Sequence, residues 1–433
     1  MPGALPRPAR MPGLKPLDLN QTSGVSLGGM ENTTTAAQAT FPSPVRPADP
    51  RHTDARPLSD AAFDVLAEKV SGATLVVGLG ESTRFSRETF GVRDRLFRRL
   101  VQNHGFRALA VQDTAVAAAH LDRYVHGGDG SAEAALEGAW RPWRTAETAA
   151  TLEWIREFNR DHPNDPVRIF GVKPTQARPQ DYDAVLAHVQ ESAPERSAEL
   201  ASHLDPIRTA HHTDEHVQRA RGTHPGRPFA DHARDALALI RSLPGLDRDD
   251  DVLARMRRIV DFHEHSVAGT GNYVGDDAVW ADVISNHQRR TGLRVVYWDG
   301  IGHTSATATT LGMAPERGPQ PSTGSVLRER YGDAYVSVAI GFHHGDLGVT
   351  AVPAPGTDLI DALLGQVDLP AHWLDLRDDG VRRRWDGPAK LRVIGGVYDP
   401  SRDDTGHMAV ASLADAFDVL IHIREVSPVR WLP

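Results

Sequence analysis

The chain has 433 residues, 40% of them apolar, which is enough for one large domain with insertions or for two domains. Its net charge of -9, with acidic and basic residues interleaved, argues against the basic footprint of a nucleic-acid binder. It has no cysteine, which removes disulfides, thiolate nucleophiles and cysteine zinc sites.

Residues 1–56 are rich in Pro, Gly, Ser and Thr and poor in large apolar residues, so a disordered N-terminal tail is expected there. The first residues lack the apolar core of a secretory signal, and no later stretch reaches membrane-spanning length. A cytoplasmic protein with no membrane partner is the expectation. Ordered structure is predicted from Pro57, with Ser59 as the N-cap of a helix. Leu75–Leu79 reads as a buried strand, Ser86–His104 as a helix, Ala108–Val111 as a strand and Thr114–Val125 as a helix. Thr148–Asn159 then reads as a helix, Val167–Phe170 as a strand and Tyr182–Glu191 as a helix. This alternation predicts an α/β fold, with a mostly parallel central sheet flanked by helices. Residues 195–290 are charged and helical in pattern, and are expected to form a helical insertion that caps the sheet. Strands resume at Leu293–Trp298, Ala334–Gly341, Leu347–Val352 and Phe417–Ile423, and Met313–Thr323 reads as a loop beside the site.

Chemistry is expected where buried strands end. The segment Thr74–Arg84 is an apolar run that closes in Gly78-Leu-Gly80 and then presents Glu81, Ser82, Thr83 and Arg84. Glu81 is either a carboxylate that orients a water or an imidazole, or a loop acid that caps the next helix. His303 follows the strand ending at Trp298. There it is either a general base, with Asp299 as a possible partner, or a ring bonded to a loop carbonyl. The insertion holds His203, His211, His212, His216, His224 and His232. His212 and His216 have zinc-chelating spacing, but no glutamate follows His212 directly, so a solvated face is the expectation and no metal is assigned. Gly78-Leu-Gly80 lacks the third glycine of a dinucleotide fingerprint, and no G-x-S-x-G elbow occurs. No cofactor is expected. Trp140, Trp143 and Trp154 are read as core or pocket wall.

Several ordered blocks together resemble the erythromycin esterase superfamily from about residue 58 onward. Gly80-Glu-Ser-Thr is similar to G-E-[AS]-T-H, and Leu121–Gly130 to D-R-Y-V-x-G. Asp277–Asp282 is similar to D-x-x-M-A-E, and Val295–His303 to V-V-x-W-A-H-N-x-H. The resemblance implies a metal-independent hydrolase of esters or lactones of natural-product type, as in antibiotic modification or secondary metabolism. Glu81 and His303 match its catalytic positions, and Arg93 matches a basic position on the first helix. The substrate would be a small or peptide-like molecule. Five positions depart from the pattern: Arg84 and Gly300 replace histidines, Ile301 replaces an asparagine, Gln112 replaces a glutamate, and Lys173 stands where an acid is usual. Arginine cannot serve as a base near neutrality. The water-activating chemistry therefore cannot run unchanged, and His303 is left as the base, oriented by Glu81 or Asp299. Arg84, Arg93, Gln112 and Asp299 are expected to bind substrate, with Arg84 suited to an acidic group or an oxyanion. A non-catalytic relative that binds a ligand or partner protein is the alternative.

Overall fold

The computed structural model describes residues 50–173, 177–208, 227, 229–245, 250–265, 274–348, 350–395 and 398–432. Twelve strands occur among them: β1 (Arg56–Pro57), β2 (Val76–Glu81), β3 (Phe106–Thr114), β4 (Arg168–Lys173), β5 (Arg294–Gly300), β6 (Thr310–Leu311), β7 (Tyr335–Asp346), β8 (Ala351–Val352), β9 (Ala371–Asp375), β10 (Ala389–Arg392), β11 (His407–Val410) and β12 (Val419–Val426). The main sheet has the order β1-β9-β12-β7-β2-β5-β3-β4, with β8 beside β7. From β12 to β4 every pairing is parallel, while β9, β1 and β8 add antiparallel edges. The mostly parallel α/β sheet is as the sequence indicated.

The strands are apolar on both sides because helices cover both. Val77, Leu79, Leu109, Val111, Val296 and Trp298 pack with the helices Asp60–Ser71, Arg87–His104, Ala115–Val125 and Ala146–Asp161. Their neighbours Val76, Ala108, Ala110, Val295 and Tyr297 face the helices Val274–Thr291 and Thr323–Tyr331. This is the two-residue alternation of a pleated strand. Ser59 caps its helix by accepting from the Ala62 amide at 3.3 Å.

Several boundaries differ from the sequence expectation. Ahead of Pro57, residues Pro50–Asp54 form a 3-10 turn, and Asp54 accepts from the Trp385 indole at 3.0 Å. Residues 1–49 lie outside those described. The helical insertion has its own apolar core, built from the helices Pro179–Ser192, Ser197–Arg208, Phe229–Ser242 and Asp250–His265. It therefore begins before residue 195, and the helix Val274–Thr291 belongs to the sheet instead, through Trp280, Ala281 and Ile284. His211, His212, His216 and His224 lie outside the described residues. Of the expected strand Leu347–Val352, only Ala351–Val352, the short β8, is strand among the described residues. An unexpected second sheet, β10-β11-β6, sits beside the main one.

Two features fix the carboxyl edge of the parallel strands. Ser82, just past β2, is held on both sides: its amide donates to Ile340 O at 2.9 Å, and its carbonyl accepts from Ile394 N at 2.8 Å. Residues 427–432 join two loops. Arg87 N donates to Ser427 O (2.9 Å) and Val429 N to Phe85 O (3.0 Å), while Ala146 N donates to Arg430 O (2.8 Å) and Leu432 N to Arg144 O (2.9 Å).

Candidate functional site

Parallel β2 and β5 end side by side, with Glu81 in register with Gly300. A single helical turn, Ile301–Thr304, follows β5 and lies directly on β2. Gly80 makes this contact possible: a Cβ there would collide with the Thr304 hydroxyl and come within 2.8 Å of Ile301 Cα. The turn carries His303 to the edge where Glu81 ends its strand.

Glu81 is buried, and both of its oxygens face arginines. Arg93, 1% exposed, forms a tight ion pair with Oε2, and Arg84 Nε lies 3.4 Å from Oε1. The Arg93 guanidinium sits in a cage of Phe90, Trp143 and Trp298, 4.6–5.3 Å from the ring centroids. Burial pulls its pKa down to about 9, against the pull of Asp299 and Asp94, so it is still cationic at neutral pH. Arg93 thus supports Glu81 from behind rather than facing solvent.

Arg84 reaches across the edge. It donates to the Gln112 side-chain oxygen, lies 3.4 Å from Asp299 Oδ1, and stacks over Trp140 at 4.6 Å. Asp299 is fully buried and also accepts from the Tyr297 hydroxyl (2.5 Å) and the Gly300 amide (2.6 Å). Gly300 has an ordinary extended backbone (φ -69°), so its value is not conformational freedom. A Cβ at 300 would stand 3.1 Å from Arg84 Nη2 and 3.8 Å from His303 Cδ2. The glycine makes room for the arginine beside the histidine.

His303 pairs with neither Glu81 nor Asp299. Its Nδ1 lies 2.8 Å from Asp277 Oδ1, on the helix Val274–Thr291. The same oxygen accepts from Thr323 N (2.9 Å) and Thr323 Oγ1 (2.6 Å), so the carboxylate is fixed and oriented. Trp280 packs against the ring at 4.9 Å. Burial lowers the affinity of the ring for a proton, but Asp277 and Asp299 outweigh it and Arg84 opposes them only weakly; the result is a pKa raised to about 9. Among the described residues no protein group hydrogen-bonds Nε2. The pair is therefore an oriented, part-exposed imidazole with one nitrogen open, an arrangement able to move a proton.

The loop beside Arg84 completes the edge. Trp140 N donates to Asp113 Oδ2 at 2.8 Å, and the Trp143 indole donates to Gln112 O at 3.2 Å. Burial raises the Asp113 pKa, while the Trp140 amide and Lys173 work against it.

A model of the family described as erythromycin esterase matches residues 101–426. The chain belongs to the erythromycin esterase family. Solved structures share its fold across most of their length. A Bacillus cereus protein is 19% identical with a TM-score of 0.60, covering 88% of this chain and 97% of its own. A succinoglycan biosynthesis protein is 20% identical with a TM-score of 0.59, covering 88% and 96%. An erythromycin esterase mutant in its open conformation is 17% identical with a TM-score of 0.54, covering 86% and 95%.

In this member of the erythromycin esterase family, Glu81, Arg84, Arg93, Gln112 and Asp299 form one contiguous polar group, and His303 adjoins it through Gly300. Sequence reasoning missed Asp277 as the partner of His303. The signal was present in the block Asp277-Ala-Val-Trp-Ala-Asp282, whose first residue is the one that meets the imidazole.

Proposed function

We propose that this protein is a divergent, metal-independent enzyme of the erythromycin esterase family that acts on an ester, lactone or amide of a natural-product-like substrate. One observation carries the reading: His303 is oriented by Asp277 through Nδ1, with Nε2 open beside Arg84. In hydrolysis the neutral ring would take a proton from water at Nε2 and pass it to the leaving group. Asp277 would stabilise the imidazolium formed, and Arg84 would face the oxyanion or an acidic group of the substrate. Glu81 and Arg93 act here as positioning residues that hold Arg84 in place.

A ring with a pKa of about 9 is about 1% neutral at pH 7. Base-catalysed hydrolysis should therefore climb with pH and level off near 9. A second reading is favoured by the same charge. The imidazolium is a competent proton donor at neutral pH, which suits a non-hydrolytic step such as elimination, dehydration or cyclisation, and activity would then fall above about 9. The experiment is a pH–rate profile on a panel of macrolides, lactones and aryl esters, with His303→Ala as control. Turnover that survives in the variant would remove His303 from the mechanism. Ligand binding without turnover would assign the chain to the non-catalytic alternative.

A further inference from the structure

Trp140 carries two cations on one indole. Arg84 Cζ lies 4.6 Å from the ring centroid and Lys173 Nζ lies 3.5 Å from it. Their origins are far apart: Arg84 follows β2, Lys173 ends β4, and β5 and β3 stand between, a separation of about 14 Å across the sheet. Both side chains therefore lean inward along the carboxyl edge to reach the same ring. Left alone, two like charges brought together repel. The surrounding acids offset this: Glu81 and Asp299 sit beside Arg84, and Asp113 lies within electrostatic reach of Lys173. The platform itself is fixed, with the Trp140 amide bonded to Asp113 and the following loop tied to residues 430–432. His303 adjoins Arg84 through Gly300. The edge thus brings Lys173, Trp140 and Arg84 together, with His303 adjoining Arg84.

We propose that the half-buried Trp140 face, with Arg84 and Lys173, is a carboxylate-recognition subsite, so that the substrate bears a free carboxylate displaced from the bond that reacts at His303. The planar guanidinium fork matches carboxylate geometry, and Lys173 adds a point charge. Glu81, Asp299 and Asp113 balance the charges of Arg84, Lys173 and Arg93, so a single carboxylate suits the group better than a phosphate dianion, which would leave it with twice the negative charge. For the reacting bond this inference rests on the hydrolytic reading above; for the subsite it does not.

The test compares mono-4-nitrophenyl glutarate with neutral 4-nitrophenyl butyrate on the full-length protein. The expected result is a kcat/KM ratio favouring the acid-bearing ester by about tenfold or more. The ratio should collapse toward one in Lys173→Gln, mainly through KM, and persist in Lys173→Arg. A ratio near one, or one unchanged in Lys173→Gln, would overturn the subsite and leave the cations as structural. If neither ester turns over, calorimetric titration with glutarate decides. Binding weakened by Lys173→Gln upholds the subsite while removing the hydrolytic reading, and no binding overturns the subsite. If Lys173→Gln fails to fold by circular dichroism, Trp140→Phe replaces it with the same expected loss.

Discussion

Arg84 Nη2 lies 3.1 Å from the point where a side chain on residue 300 would begin, so the arginine and the glycine form one coupled feature. A histidine at 300, as the family pattern has it, would compete with the guanidinium for the same space. Gly300→His alone is expected to destabilise the protein by about 1–3 kcal/mol through overpacking. The double variant Arg84→Ala/Gly300→His should recover most of that loss. A double-mutant cycle from urea denaturation measures the coupling, and additive effects would show that the two positions are independent.

Asp277 sets the protonation of His303. Replacing Asp277 by Asn removes the nearest stabilising charge, and the His303 pKa should drop from about 9 toward the ordinary imidazole range. The linkage has a definite sign. Because the folded pKa is raised, the pair stabilises the fold fully below about 6.5, and this contribution fades as pH rises through 9. Asp277→Asn should therefore cost more stability at pH 6 than at pH 9.5. Imidazole proton NMR follows the titration directly, and an unshifted His303 resonance would refute the assignment.

The Glu81–Arg93 pair is buried on both sides. Glu81→Gln leaves a 1% exposed guanidinium facing a neutral amide, and breaking a buried pair in this way typically costs about 3–5 kcal/mol. Chemical denaturation should register a loss of this size, well beyond that of an exposed acid such as Glu137→Gln. A change under 1 kcal/mol would mean that Glu81 is not the principal partner of Arg93.

A second group of histidines shapes acid stability. Burial, together with His344, His422 and Arg392, depresses the His343 pKa to about 4, with Asp361 opposing. The unfolded chain binds this proton first, so folding stability should fall as pH drops from about 6.5 toward 4. His343→Gln should flatten that part of the pH–stability curve, and an unaltered slope would place the acid sensitivity elsewhere.

The strands that fill the middle of the sheet were legible because they are continuous apolar runs ending in glycine or polar residues. β9, β10 and β11 were not: Ala371-His-Trp-Leu-Asp, Ala389-Lys-Leu-Arg and His407-Met-Ala-Val are short, mixed segments whose strand character comes from their partners. At the site, the residue types and their strand ends could be read, but the pairing of His303 could not. Asp299 is four residues from His303 in the chain, yet its oxygens are occupied by Tyr297, the Gly300 amide and Arg84. The actual partner comes from a helix 26 residues earlier, a proximity that only packing creates. The clearance that Gly300 gives Arg84 was equally hidden, since it depends on a side chain more than 200 residues away.

The stapling of residues 85–87 and 144–146 by residues 427–432 imposes an order of events on a newly made chain. Arg84 and Trp140 leave the ribosome well before the strap that fixes the loops carrying them. A nascent chain halted before residue 427 would hold most of its core while the two loops that carry Arg84 and Trp140 stayed unfastened.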